Sequence, residues 1–259
     1  MPYQTGIQIK KKYGQHFLKE QWVIDRILES VDLQPTTSVF EIGGGGGFLT
    51  KSILQKNIAR LWVFEIDPEW ANFLQRSFKD PKLTVLLENI LDVDFVKFEE
   101  HKPWTLLANL PYQITFPILF MLQKNLLLLK EGVIMVQEEV AQKILKSSGR
   151  DYGFASLFFQ YYFEWKMLDK IPPTAFNPPP KVYSRLLYFK PKFERVKIHS
   201  EDEFWKFVKI CFKQPRRTLK NNLAQSHFDL TKISENILTL RAQQIDFKGL
   251  LEIWNIINQ

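Results

Sequence analysis

The sequence predicts an α/β fold: a parallel, doubly wound sheet with a small helical domain at its C-terminal end. Three observations predict it. Short apolar runs alternate with segments of helical periodicity as far as Gly149. Five consecutive glycines, 43–47, stand between one apolar run and the helix that follows. From about Ser200 onward the periodicity is helical only.

A polar, basic arm occupies residues 1–20. Trp22, Val23, Ile27, Leu28 and Val31 then recur at helical spacing. SVFEIG (38–43) reads as a short buried strand, and FLTKSILQK (48–56) as the next helix. RLWVFEID (60–67) is a second strand; Pro68 suits the first turn of the helix 68–78, where no N–H is required. LTVLLEN (83–89) and WTLLANL (104–110) make a third and fourth strand. A helix over 115–129 leads to a fifth, GVIMVQ (132–137), and to amphipathic EEVAQKIL. Beyond Gly149, SLFFQYYFEW (156–165) and SRLLYFKP (184–191) predict antiparallel additions to the sheet, bridged by proline-rich IPPTAFNPPPKVY. EDEFWKFVKICFK, TLKNNLAQ and FKGLLEIWNII carry the helical domain. The expected organisation is an arm (1–20), a Rossmann-like domain (21–195) and a helical domain (196–259).

The chain has 259 residues, 45% of them hydrophobic, enough for a main domain with a smaller companion. Thirty-five Lys and Arg against 28 Asp and Glu leave a net charge of +7, which fits a polyanionic partner. The single Cys211 excludes a disulfide framework and a cysteine-rich zinc site. The histidines, at 16, 101, 199 and 227, lack H-E-x-x-H spacing, so no metal site is expected. No apolar h-region follows Met1, and no 18-residue apolar span occurs. A soluble cytoplasmic protein with no membrane partner is the expectation.

Glycines between a strand and a helix let the backbone approach a ligand closely beside a helix N-terminus. Gly43, Gly45 and Gly47 fit G-x-G-x-G, not the G-x-G-x-x-G of a dinucleotide fold. Glu65 ends the next strand, 22 positions after Gly43, where a carboxylate can accept hydrogen bonds from both hydroxyls of a ribose. Asp67 is assigned instead to capping the helix behind Pro68. These residues point to a nucleoside-containing cofactor and leave NAD and S-adenosylmethionine both open.

NLPY (109–112), at the end of the fourth strand, decides between them. The lone pair of an adenine amino nitrogen is delocalised into the ring. An acceptor such as the Asn109 amide oxygen, with a backbone carbonyl near Leu110 or Pro111, favours a pyramidal nitrogen with its lone pair available. Pro111 has a fixed φ that holds that carbonyl in place. Tyr112 then stacks on the base, as in enzymes that act on extruded bases. Methyl transfer from a sulfonium is an in-line displacement carried by positioning and electrostatics, without a metal or covalent nucleophile.

These residues converge on a family. The chain resembles the KsgA-type ribosomal RNA adenine-N6 dimethyltransferases and, more distantly, the Erm-type enzymes. KKYGQHFL, EIGGGGGFLT, FEID, NLPYQIT, MVQEEVAQKI, DYGFASLFFQYY and PPTAFNPPPKVYS carry the resemblance in order, from about Lys11 to Leu223. FKQPRRTLKNNL looks like the family's basic F-x-Q-R-R-K-T-L-x-N-x-L helix. The resemblance implies a Rossmann-like S-adenosylmethionine-dependent methyltransferase domain followed by a small helical RNA-binding domain. It also implies dimethylation of two adjacent adenosines in the 3′-terminal hairpin loop of small-subunit (16S) rRNA during ribosome biogenesis. The partners implied are that rRNA and the immature small subunit, and the state implied is a monomer.

Carried over by motif, His16, Leu18, Gly43, Glu65, Asn89 and Asn109 contact the cofactor, with Gly45 and Gly47 in the same glycine loop. Asn109, Leu110, Pro111 and Tyr112 form the target-adenine site, and Phe176 adds a second aromatic against the flipped base. Lys11 and Lys12 on the arm, with Arg216, Arg217 and Lys220 along one helix, are expected to meet RNA phosphates. Four departures stand out: Gly44 for the usual Pro, expected to loosen the loop; ENI for G-D-A, which puts Asn89 where the family's Asp meets the cofactor's adenine amino group, a bond the amide oxygen can still accept; His16 for Asn; and Pro215 for a basic residue. An Erm-type large-subunit enzyme is the nearest rival. A non-catalytic docking protein like the related mitochondrial transcription factors would predict damage to NLPY, which is intact. An NAD oxidoreductase is disfavoured by the glycine spacing.

Overall fold

The computed structural model describes residues 6–10 and 13–258. Its elements begin with β1 (Phe17–Leu18), α1 (Gln21–Glu29), β2 (Ser38–Ile42), α2 (Phe48–Leu54), β3 (Arg60–Glu65) and α3 (Pro68–Ser77). β4 (Leu83–Leu87), β5 (Trp104–Asn109), α4 (Thr115–Lys124), β6 (Leu129–Gln137) and α5 (Glu138–Leu145) follow. The chain continues through α6 (Phe154–Tyr162), β7 (Phe163–Ile171), β8 (Phe176–Asn177) and β9 (Ser184–Pro191). It ends in α7 (Glu201–Cys211), α8 (Leu219–Leu223), α9 (Glu235–Leu238) and α10 (Phe247–Ile257).

Two units emerge. The first comprises the described residues up to 141 with 164–191; the second comprises 142–163 with those from 192 on. In the first, seven strands lie in the order β4-β3-β2-β5-β6-β9-β7. The pairings from β4 through β6 are parallel, and β9 runs antiparallel to β6. Every residue of β2 is buried, as parallel strands covered on both faces require. Val39, Val63 and Leu107 share a core with Val23 and Ile27 of α1 and with Ile53 of α2. Residues of opposite parity face the other way, where Phe40 stacks on Trp104 at 3.8 Å with Phe64 and Phe98 edge-on. Strand order reverses between β2 and β5, so the loops leaving them diverge and open a crevice at their carboxyl ends. β1 and β8 form a separate antiparallel pair.

The second unit corrects the strand expected over 156–165. Residues 154–162 are helical, and β7 starts at Phe163. An almost wholly aromatic and apolar run has no polar face to mark its period, and its residue types favour strands. Leu157, Phe158, Phe159, Tyr161 and Tyr162 are all buried, because aromatic partners surround the helix. Phe158 and Tyr161 lie 5.0 and 5.3 Å from Trp205 of α7, and the Arg195 guanidinium covers Tyr162 at 5.1 Å. No helix among the described residues is long and apolar enough to cross a membrane.

Candidate active site

The crevice begins with the glycine loop. Gly43, Gly45 and Gly47 take φ values of +77°, +49° and +76°. At Gly45 a side chain is excluded twice over: its φ is left-handed, and a Cβ would fall 2.7 Å from the Phe17 ring. The Gly45 N–H donates to Glu65 Oε2 at 2.8 Å, and the Asp67 N–H to Glu65 Oε1 at 2.9 Å. One buried carboxylate thus ties the loop after β2 to the end of β3. Burial pushes the Glu65 pKa up, against the pull of these amides. At Gly44 there is no room for the usual proline. A Cβ there would fall 2.5 Å from Val63 and 2.7 Å from Leu74, so packed side chains already fill the space.

Asp67 caps α3, accepting the Glu69 N–H at 3.1 Å. It also accepts Lys10 Nζ at 2.7 Å and Gln15 Nε2 at 3.3 Å, which fastens the arm beside the crevice. Beyond Gln15 the arm pairs as β1 with β8, Leu18 lying opposite Phe176. His16 Nδ1 lies 2.8 Å from the Pro178 carbonyl. A carbonyl only accepts, so Nδ1 carries the hydrogen. The His16 carbonyl in turn accepts Asn109 Nδ2 at 3.0 Å. That bond turns the Asn109 amide so that its oxygen faces away from His16.

After Asn109 the chain turns sharply. Leu110 N–H donates to Met135 O at 3.2 Å, and the Pro111 carbonyl accepts the Ile114 N–H at 3.1 Å. The Tyr112 hydroxyl meets Ser184 Oγ at 2.7 Å, and the Tyr112 ring stacks on His16 at 5.8 Å and 25°. Burial raises the Tyr112 pKa, and the Ser184 hydrogen bond lowers it in part.

These elements enclose a cavity of about 1060 Å³, its open mouth included. The cavity brings together His16, Leu18, Gly43, Gly45, Glu65, Asn89, Asn109, Leu110, Pro111 and Tyr112. Gly47 lies outside the lining and serves as N-cap of α2. Phe176 is not brought to the cavity. It is 2% exposed and packed with Leu18, Ile171 and Ala175, so a base cannot stack on it in this arrangement.

Two cavity-related residues went unread in the sequence. Glu41 is buried in β2, lines the cavity and accepts Thr50 Oγ1 at 2.7 Å. Burial, aided by the nearby Glu65, pushes its carboxyl up to about 8. A lone acid inside an apolar strand was its signal. Ser184, fully buried behind Tyr112, had none.

In the second unit Arg216 and Arg217 are exposed, but they do not line a helix. They occupy the turn between α7 and α8, which Asn222 clamps. Its Oδ1 accepts the Gln214 N–H at 3.0 Å, and its Nδ2 donates to the Gln214 and Thr218 carbonyls at 3.1 and 3.3 Å. A helix start at Leu219, capped by Thr218, leaves both arginines outside it. Lys220 is ion-paired with Glu235 at 2.9 Å. Lys11 and Lys12 lie outside the described residues.

A crevice at a strand-order reversal, with a carboxylate at the end of its second strand, takes a nucleoside. An outward amide oxygen beside an aromatic ring has the chemistry to take an amino-bearing base. Together they define a Rossmann-like methyltransferase that uses S-adenosylmethionine. The family described as "Ribosomal RNA adenine dimethylase" matches residues 6–258. The ribosomal RNA small subunit methyltransferase A of Chlorobium phaeobacteroides is 34% identical over 254 residues, covering 98% of this chain and 93% of that protein. Its namesake from Syntrophotalea carbinolica is 38% identical over 216 residues, covering 83% and 81%. The chain belongs to the ribosomal RNA adenine dimethylase family. Among solved structures, a dimethyladenosine transferase from Plasmodium falciparum matches with a TM-score of 0.77 and 23% identity, over 93% of this chain and 98% of its own. The 23S rRNA methyltransferase ErmE matches with a TM-score of 0.70 and 21% identity, over 94% and 100%. Both share the fold.

Proposed function

We propose that this protein dimethylates two adjacent adenosines at N6 in the 3′-terminal hairpin loop of small-subunit rRNA. One observation carries the chemistry: the Asn109 amide is oriented by the His16 carbonyl, which leaves its oxygen to accept from an amino group beside the Tyr112 ring. The crevice suits S-adenosylmethionine, since the Glu65 carboxyl at the end of β3 and the glycine loop it holds line a space that takes a nucleoside. When bound, the cofactor supplies an electrophilic methyl group.

The protein's own residues position the acceptor. Asn109 Oδ1 and the Leu110 carbonyl draw the two N6 hydrogens out of the ring plane, which localises the lone pair. The Pro111 carbonyl, which also receives the Ile114 N–H, keeps a second lone pair and is the alternative acceptor. His16 covers one face of Tyr112, so the target base stacks on the other. The exposed Arg216 and Arg217 contact RNA phosphates. The same reading has a monomer acting in the cytoplasm on immature small subunits.

The test uses labelled S-adenosylmethionine with unmethylated small subunits, naked small-subunit rRNA or large-subunit rRNA, followed by mapping of modified nucleotides. Dimethyladenosine is expected in the small-subunit hairpin. Its absence overturns the reading, and label in large-subunit RNA favours the Erm-type alternative. The ordered NLPY turn favours catalysis over docking alone.

A further inference from the structure

We propose that Asp92 determines the cofactor's base specificity by setting which end of the Asn89 amide faces the cavity. The proposal rests on the reading that Asn89 meets the cofactor's adenine. Asn89 follows β4, lines the cavity and caps the one-turn helix Ile90–Asp92. Its Oδ1 accepts the Leu91 N–H at 3.2 Å, and its Nδ2 donates to Asp92 Oδ2 at 2.8 Å.

The chemistry explains why such a device is needed. A carboxylate at position 89 would present acceptors at both ends, so its rotation would not matter. An amide has one donor end and one acceptor end, and a half-turn exchanges them. In one orientation its oxygen accepts from the 6-amino group of adenine. In the other it presents N–H to that group and favours a 6-oxo purine instead. Asp92 only accepts and Leu91 N–H only donates, so both partners enforce one orientation. The exposed Asp92 also places a negative charge against the amide and polarises its oxygen toward stronger acceptance.

The test is calorimetric binding of S-adenosylhomocysteine and its 6-oxo counterpart, S-inosylhomocysteine, to the full chain. Taking the ratio of the two affinities within each variant cancels any general loss of binding or folding. Asp92→Ala is expected to lower the preference for the adenosyl compound about tenfold, the weight of one hydrogen bond. Some preference persists, because Leu91 N–H still holds the oxygen. Asn89→Asp sets two carboxylates against each other and weakens both ligands, and adding Asp92→Asn restores adenosyl preference. An unchanged ratio in Asp92→Ala, with Asn89→Ala lowering the preference, overturns the role of Asp92 alone. If Asn89→Ala itself changes neither affinity, the underlying reading of Asn89 falls and the proposal falls with it.

Discussion

Ser184→Ala removes the hydroxyl that holds the Tyr112 ring without disturbing the β6–β9 ladder, which uses only the Ser184 backbone. The lost bond is a neutral hydroxyl pair 2.7 Å long, with Ser184 fully buried and Tyr112 partly so. Such a bond contributes about 1 kcal/mol net, and stranding a buried hydroxyl adds to that, so the effect is about 1–2 kcal/mol. Expressed in kcat/KM, that is a loss of roughly 5- to 30-fold. Tyr112→Phe removes the same bond from its other end while keeping the stacking ring, and is expected to lose a similar amount. The double variant should fall little further, giving a coupling of about 1 kcal/mol. The assay is methyl transfer to unmethylated small subunits, with thermal unfolding in parallel to separate a loose ring from a loose fold. Additive losses, or a Ser184→Ala enzyme within about twofold of wild type, refute the view that this bond positions the base platform.

Three further outcomes follow from the site. Glu41 titrates at about 8 when folded against the usual 4.5, so its stabilising proton is fully present below about pH 4.5 and lost as pH rises through 8. Glu41→Gln, which keeps an acceptor for Thr50, should flatten a fall of up to about 1.4 kcal/mol per pH unit in chemical denaturation between pH 5 and 8; parallel profiles would contradict this. Asn109→Asp sets an oxygen against the His16 carbonyl 3.0 Å away, and single-turnover rates should drop at least about 100-fold while RNA affinity holds within about threefold. The substitution keeps an acceptor oxygen, so turnover near wild type would exclude the His16–Asn109 contact as the device that positions it. Arg216→Ala with Arg217→Ala should reduce the slope of log affinity against log salt by about 1–2, and an unchanged slope removes them from the RNA contact.

What was legible in the sequence depended on how far apart the cooperating residues lie. Strands β2, β5 and β6 were readable because burial on both faces writes itself into consecutive residues. Their ends were readable because a glycine loop and an Asn-Leu-Pro-Tyr turn interrupt that pattern where the crevice opens. By contrast, Ser184 is 72 positions from Tyr112, and Pro178 is 162 from His16. Neither partner leaves a trace in local periodicity, since only the β6–β9 and β1–β8 pairings bring them together. Phe176 shows the converse: its motif located it in the chain, yet the β1–β8 pairing, not the motif, sends its side chain into the core. The same holds for Arg216 and Arg217, whose turn is set by Asn222 and whose helix begins only at Leu219. The Asn89–Asp92 pair is different, because three positions on one helical turn suffice to bring its members together. An acid three residues after an amide that stands in an acid's place was readable as one unit. A missing charge at a site is therefore best sought first within a turn of the position it left.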